Sequence, residues 1–324
     1  MRIPLTYVAQ RAVQFVPAVL FVVTLTFALV RLAAGDPVFV LAGESGADPA
    51  YYEMMRGRLG LDKPIYRQFA GYVWSLVQGD LGRSHINRAP VLSLIWERVP
   101  ATALLAAAAI LFSTVAGMAL GTVSALKAGS AVDRAVIVAS LVGYATPLFW
   151  LGQILILVFA LHLGVLPVGG IQSLGGERSG WSHAWDVARH LILPAVSLGL
   201  GQLAVVARIT RSSLLNVLGQ DFVRTARAKG LPETVVVGKH ASRNAVLPVI
   251  TVVGANVAFL AGGSVLVELI FGWPGIGRLL YDALLQRDYP ITTGVFLVVS
   301  MAVLVISFVV DVLYAIVNPR ITYD

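Results

Sequence analysis

The sequence predicts an all-α polytopic membrane protein with six transmembrane helices, and three observations lead there. Of its 324 residues 57% are hydrophobic and only 13% charged, with a mean hydropathy of +0.81. No soluble domain of this length could hide that much apolar surface. The apolar residues also gather into runs of roughly twenty or more, the length a helix needs to cross the hydrocarbon core. The charge is just as uneven. Between Arg208 and Arg243 stand seven Lys or Arg against two acidic residues, Asp221 and Glu233. Basic loops stay on the cytoplasmic side, so this excess marks an inside loop, and the net charge of +7 calls for no nucleic acid. The absence of cysteine excludes disulfides, thiol nucleophiles and Cys-ligated metal.

In chain order, Arg2 and Arg11 precede an apolar run over about 12–32. It is too long for the core of a signal peptide and reads as an uncleaved first span with the amino terminus inside. Residues 33–98 form a long external segment whose seven basic residues balance seven acidic ones. Within it the 66–77 stretch reads as an amphipathic helix between two turns. It is either part of a docking surface or a cap over the spans. The second span, about 99–126, carries Gly117 and Gly121 in the spacing that lets helices approach closely in lipid. Lys127 to Arg134 is a short inside turn. The third span, about 135–161, is interrupted by Pro147, which frees backbone carbonyls and kinks the helix. Tyr144, Pro147 and Phe149 are therefore candidate gate or pathway residues; a kink that only aids packing is the alternative. An external loop follows over 164–190, then a fourth span over about 191–215. The fifth span, about 246–271, ends near Glu268, and a Gly-Trp-Pro-Gly turn at 272–275 leads to an amphipathic segment. The sixth, about 291–317, places the carboxyl terminus inside. The chain divides into 1–98, the first span with the external segment, and 99–324, a five-span core with a coupling loop at 216–245.

The polar stretch 221–248 is the feature the spans frame. Leu218, Phe222 and Ala226 fall four apart and would share one helical face, with Arg224, Arg227 and Lys229 elsewhere. Asp221 can cap the helix, Gly230 can end it in a left-handed conformation, and Pro232 can start a second short helix. Such a helix-glycine-helix elbow suits a socket on another protein; an ordinary basic loop is the alternative.

The residues narrow that choice. Arg224-Thr225-Ala226, then Gly230 and Leu247-Pro248, resembles the "EAA" coupling loop of bacterial ABC-importer permeases. Thr225 to Gly230 (TARAKG) followed by Arg243-Asn244-Ala245 resembles the peptide/nickel branch in particular. Arg224 stands where the general pattern has Glu, and the gap from Gly230 to Leu247 is longer; both departures fit that branch. Gly35-Asp36-Pro37, the stretches 59–64 and 79–84, Pro274 to Gly277 and Arg287 to Pro290 resemble the same permeases in the same order. The resemblance covers essentially the whole chain. It implies a type I importer permease for short peptides in the inner membrane of a prokaryote. The implied partners are a second homologous permease, two ATP-binding subunits and an extracytoplasmic solute-binding protein. Asp221, Phe222, Arg224, Thr225, Ala226, Arg227, Lys229 and Gly230 would make the ATPase contact. Permeases for nickel complexes or another small solute are the alternative within the family.

The chemistry absent from the sequence points the same way. No GxxxxGK[ST], HExxH or GxSxG pattern occurs, so the chain is expected to be no enzyme and to carry no cofactor. ATP and Mg are expected on the partner subunits. An ion-coupled secondary transporter is the rival class, but it would place ionisable groups at the membrane midplane. Two carboxylates remain as candidates. Asp311 in the sixth span is expected to pair with Arg208 or Arg211 and fix an inner gate, or to form a merely structural pair. Glu268, at the outer end of the fifth, could meet a peptide's amino terminus or simply sit at the interface.

Overall fold

The computed structural model describes residues 5–32, 49–58, 62–173, 175, 179–261 and 265–317. The Gly35-Asp36-Pro37 stretch and the carboxyl-terminal Asn318-Pro319-Arg320 lie outside them. Every long element is helical. In order they are α1 (Leu5–Leu32), α2 (Pro49–Arg58), α3 (Ile65–Val77), α4 (Val91–Leu126), α5 (Ala131–Ala145) and α6 (Leu148–Leu155), which runs on as a π-helical turn, Ile156–His162. Then come α7 (Trp181–Leu218), α8 (Asp221–Ala228), α9 (Ser242–Ala261), α10 (Val265–Ile270), α11 (Ile276–Leu285) and α12 (Tyr289–Val317).

Helices α4 and α7 form the spine. The buried face of α4 repeats at Thr102, Leu105, Ala109, Ser113, Gly117, Gly121 and Ser124, the three- and four-residue steps of one helical stripe. It lies against Leu203, Val206, Ala207 and Thr210 of α7, all buried. Contact is at backbone distance. A Cβ on Gly117 would sit 2.8 Å from the Val206 Cβ, one on Gly121 2.4 Å from the Ala207 carbonyl oxygen, and one on Gly199 2.8 Å from that of Ala109. Helices α5 and α9 lean on α7, and α1 packs along α12 with Phe15 near Phe308.

Two expected boundaries move. Helix α4 begins at Val91 instead of about 99, and α7 begins at Trp181 instead of about 191, inside the expected loop. At 36 and 38 residues both exceed what a core of about 30 Å requires. Glu97 and Arg98 set the expected start of the second span, but a helix in water carries such charges at little cost, so a charge boundary is no helix boundary. The expected kink is sharp: α5 and α6 meet at an angle of 106°, with Thr146 extended before Pro147, as the residue before a proline prefers. Among the described residues four helices are long and apolar enough to cross a membrane, five if the bent α5–α6 pair is one span. The expected fifth span runs through 262–264, outside the described residues, so its continuity is not among them.

At the start of α4, Val91 and Ile95 pack with Ile276, Ala283, Ile291 and Val295. The hydroxyl of Ser84 donates to Asp288 at 2.5 Å, and both are buried. This part of the 79–84 stretch is thus a clasp on the start of α12.

Candidate coupling elbow and inner groove

The elbow is built from a few small apolar side chains. Helix α7 stops at Gly219, Gln220 turns the chain in an extended conformation, and α8 begins at Asp221. Of the eight residues of α8 only Val223 and Ala226 are buried. They seat in a cluster with Ala125 of α4, Leu214 and Val217 of α7, and Val236, Ala241 and Ala245 beyond the turn. The elbow is thereby fixed to the spine and not to a free loop. Asp221, Phe222, Arg224, Thr225, Arg227 and Lys229 all face outward.

The shared face of Leu218, Phe222 and Ala226 is corrected: Phe222 is 39% exposed, and Val223 takes the inward place. The Gly219–Gln220 turn resets the helical phase, so counting in fours from Leu218 crosses a break. Asp221 is the first helical residue and not the cap; that position is Gln220, whose side chain makes no capping bond. Gly230 does take the left-handed conformation, with φ of +73°. Pro232 opens a short turn, Glu233–Val235, which continues through a π-helical stretch, Val236–Ala241, into α9 instead of forming a separate helix. Arg227 closes the elbow, its guanidinium donating twice to Glu233 at 2.6 and 3.1 Å. That hydrogen-bonded pairing holds the Glu233 carboxyl below the usual range.

Beside the elbow, three helices are tied by a buried acid. Asp133 follows Ser130, whose hydroxyl caps α5. The Asp133 carboxylate accepts two bonds from Arg211 of α7 at 2.7 and 2.8 Å, one from Ser124 of α4 and one from the Gly129 amide. Arg211 is therefore already engaged, and the expected pairing with Asp311 is corrected. Asp311 instead lies 3.4 Å from Arg11 of α1, binding the first helix to the last. The pattern Ser130-x-x-Asp133 is a cap signature in the sequence; nothing local pointed to Arg11.

Between α5 and α7 a groove of about 370 Å³ opens, lined by Ile137, Ser140, Tyr144, Val205, Arg208 and Ser212 among others. Tyr144 is 65% exposed at its rim, and Pro147 and Phe149 lie at and beyond the bend, Phe149 half exposed. Glu268 is elsewhere, and its reading as an interfacial residue is corrected: it is fully buried. It accepts from the Thr102 hydroxyl at 2.9 Å and the Arg278 amide at 2.9 Å, behind Trp273, whose indole N–H donates to the Ala101 carbonyl. It braces the 272–275 turn. Thr102 and Ser124, on opposite sides of this arrangement, are 22 positions apart on α4, about 33 Å. Of the candidates, the structure thus brings together the elbow residues as one unit and Tyr144 with Pro147 as another. Among the described residues no group of three or more His, Asp or Glu is placed to hold a metal.

With this geometry in view, comparison with known proteins is direct. Residues 117–323 match the family described as binding-protein-dependent transport system inner membrane component, and residues 4–106 its N-terminal membrane-component family. The chain is 46% identical to the di/tripeptide transport system permease protein DppB of Pseudomonas aeruginosa (strain UCBPP-PA14), over 99% of each chain. It is 41% identical to the dipeptide transport system permease DppB of Escherichia coli K12, and 42% to that organism's glutathione transport system permease GsiC. Each alignment covers 98% of this chain and 99% of the relative. In fold it resembles an inward-facing structure of the MetNI methionine ABC transporter, with a TM-score of 0.56 and 16% identity over 70% of this chain and 97% of that one.

Proposed function

We propose a peptide-importing role for this chain, which belongs to the binding-protein-dependent transport system inner membrane component family and is a multi-pass subunit of an ABC importer. It passes di- and tripeptides across the inner membrane, the reading its di/tripeptide and dipeptide permease relatives support. The working assembly has two related permeases, two ATP-hydrolysing subunits that hold the ATP and Mg, and an external binding protein. The elbow and both termini face the cytoplasm, where its basic excess belongs.

The observation that carries this reading is α8: a helix seated by two small residues on the spine, with an exposed phenyl ring among outward-facing cations. Exposed aromatic and arginine side chains are what a protein interface buries at its core. Phe222, Arg224, Thr225 and Lys229 make the contact, Val223 and Ala226 seat the helix, and Gly230 and the Arg227–Glu233 pair set its angle. Motion of the motor subunits would act on α7 as a lever of about 57 Å, coupled to α4 through the glycine contacts and to α5 through Asp133.

The test is ATP-dependent dialanine uptake by the purified assembly, with Phe222→Asp and Arg224→Glu as elbow variants. Both positions are exposed, so the permease should fold normally while ATPase subunits no longer co-purify. Uptake that persists without ATP and collapses with a protonophore would instead identify an ion-coupled carrier. The 42% identity to a glutathione permease favours one second reading, a tripeptide-selective route; faster uptake of glutathione than of dialanine would establish it.

A further inference from the structure

The groove between α5 and α7 presents an exposed charge that has no partner among the described residues. Two arginines line it, one helical turn apart. Arg211 is neutralised by Asp133 through paired hydrogen bonds. Among the described residues Arg208 has no ion-pair or side-chain hydrogen-bond partner, and none of the groove-lining residues is acidic. A guanidinium does not lose its proton, and within a membrane protein such a cation faces a counter-charge or a water-filled cavity. Around it the groove offers the hydroxyls of Ser140, Tyr144 and Ser212, while Ile137 and Val205 make its walls apolar. The volume, about 370 Å³, lies at the small end of small-molecule pockets.

We propose that this groove receives the free carboxylate of the transported peptide, with Arg208 as its counter-charge. The inference rests on the peptide reading above. A short peptide has one anionic end and a body that apolar walls accept, and guanidinium is the side chain whose planar fork matches a carboxylate. Arg208 lies ten residues before the end of α7, about 15 Å into the helix, and the arginine nearer that end is the one already neutralised. With no acid lining the groove, the peptide's amino group is not held by charge there. Recognition is therefore one-ended.

The experiment is equilibrium binding of labelled dialanine to the whole assembly in nanodiscs of neutral phosphatidylcholine, without the binding protein. Dialanine amide and N-acetyl-dialanine serve as competitors. The wild type should prefer dialanine over its amide by about tenfold or more, since a charge-assisted bond is lost, and should tolerate N-acetylation. Arg208→Gln should bind acid and amide equally weakly. Arg208→Lys, which keeps the charge if the glutamine variant fails to assemble, should retain only part of the preference. Undiminished acid-over-amide preference in both variants would overturn the site. So would a preference that depends on Arg208 only when anionic phosphatidylglycerol is added, which would assign the cation to a lipid headgroup. If the wild-type assembly hydrolyses ATP but neither binds nor imports any peptide, the substrate reading itself falls and this site falls with it; peptide import with no role for Arg208 removes the site alone.

Discussion

A buried carboxylate beside the 272–275 turn shows how single residues are committed in this protein. Glu268 is fully enclosed and accepts from Thr102 and the Arg278 amide, and a Cβ on Gly275 would lie 2.3 Å from its carboxyl carbon. Glu268→Gln turns one acceptor into a donor against fixed donors, so the variant should lose about 1–3 kcal/mol of stability. Gly275→Ala should be worse, because either the carboxylate or the turn must shift. Thermal unfolding of the detergent-solubilised assembly checks both, and an unchanged midpoint for Glu268→Gln would rule out the bracing role. Little of this was legible in the sequence. Thr102 is 166 positions from Glu268, and no local pattern brings a threonine and a glutamate together over that distance. Asp133 was closer to legible, since Ser130 three residues earlier is a cap signature, but its partner Arg211 is 78 positions on. Local chemistry indicates where a carboxylate can start a helix, not which cation will answer it.

Among the elements, the α4–α7 spine makes different demands on its own glycines. Gly121 touches the Ala207 carbonyl, whereas a Cβ on Gly201 would meet nothing within 4 Å. Gly121→Ala should therefore push the two helices apart, with a loss of about 1–3 kcal/mol typical of overpacking. Gly201→Ala should be neutral or gain up to about 1 kcal/mol from the better helix former. The same unfolding measurement separates them, and equal effects would mean the GxxxG spacing has no packing role. At the elbow, Glu233→Gln removes the negative charge and one of the two oxygens that accept from Arg227, and should speed amide exchange across α8 with little change in α4 or α7. Because Arg227 lowers the Glu233 pKa, the link is complete at neutral pH, where both states of the chain ionise this acid. It is lost only as pH falls through the depressed value, so exchange in α8 should be flat across neutrality and rise only in acid. The elbow itself was legible because glycine, proline and charge all punctuate it. Its inward face was not, because the two-residue turn at Gly219 and Gln220 shifts the phase by an amount no periodicity records.

For the whole molecule, the open quantity is the number of crossings, and the absence of cysteine makes it measurable without background labelling. Among the described residues hydropathy located four of the expected spans, and a fifth if the bent α5–α6 pair is one, because lipid contact selects apolar residues directly. It misplaced the outer ends of α4 and α7 because a helix continues into water wherever its backbone bonds and a packed face support it. The decisive segment is α9 with α10. Helix α9 alone has 20 residues, about 30 Å, enough to reach across the core. The elbow precedes it and Gln286, at the exposed end of α11, follows it. If α9 and α10 together cross, these two sites lie on opposite sides. Arg224→Cys should then react with a membrane-impermeant maleimide only in inside-out vesicles. Ser182→Cys, on the exposed start of α7, and Gln286→Cys should react only from the outside of intact spheroplasts. Should Gln286→Cys instead label from the same side as Arg224→Cys, α9 and α10 would dip in and return. Five crossings would then leave the termini on opposite faces, and the elbow could not share a compartment with both ends of the chain.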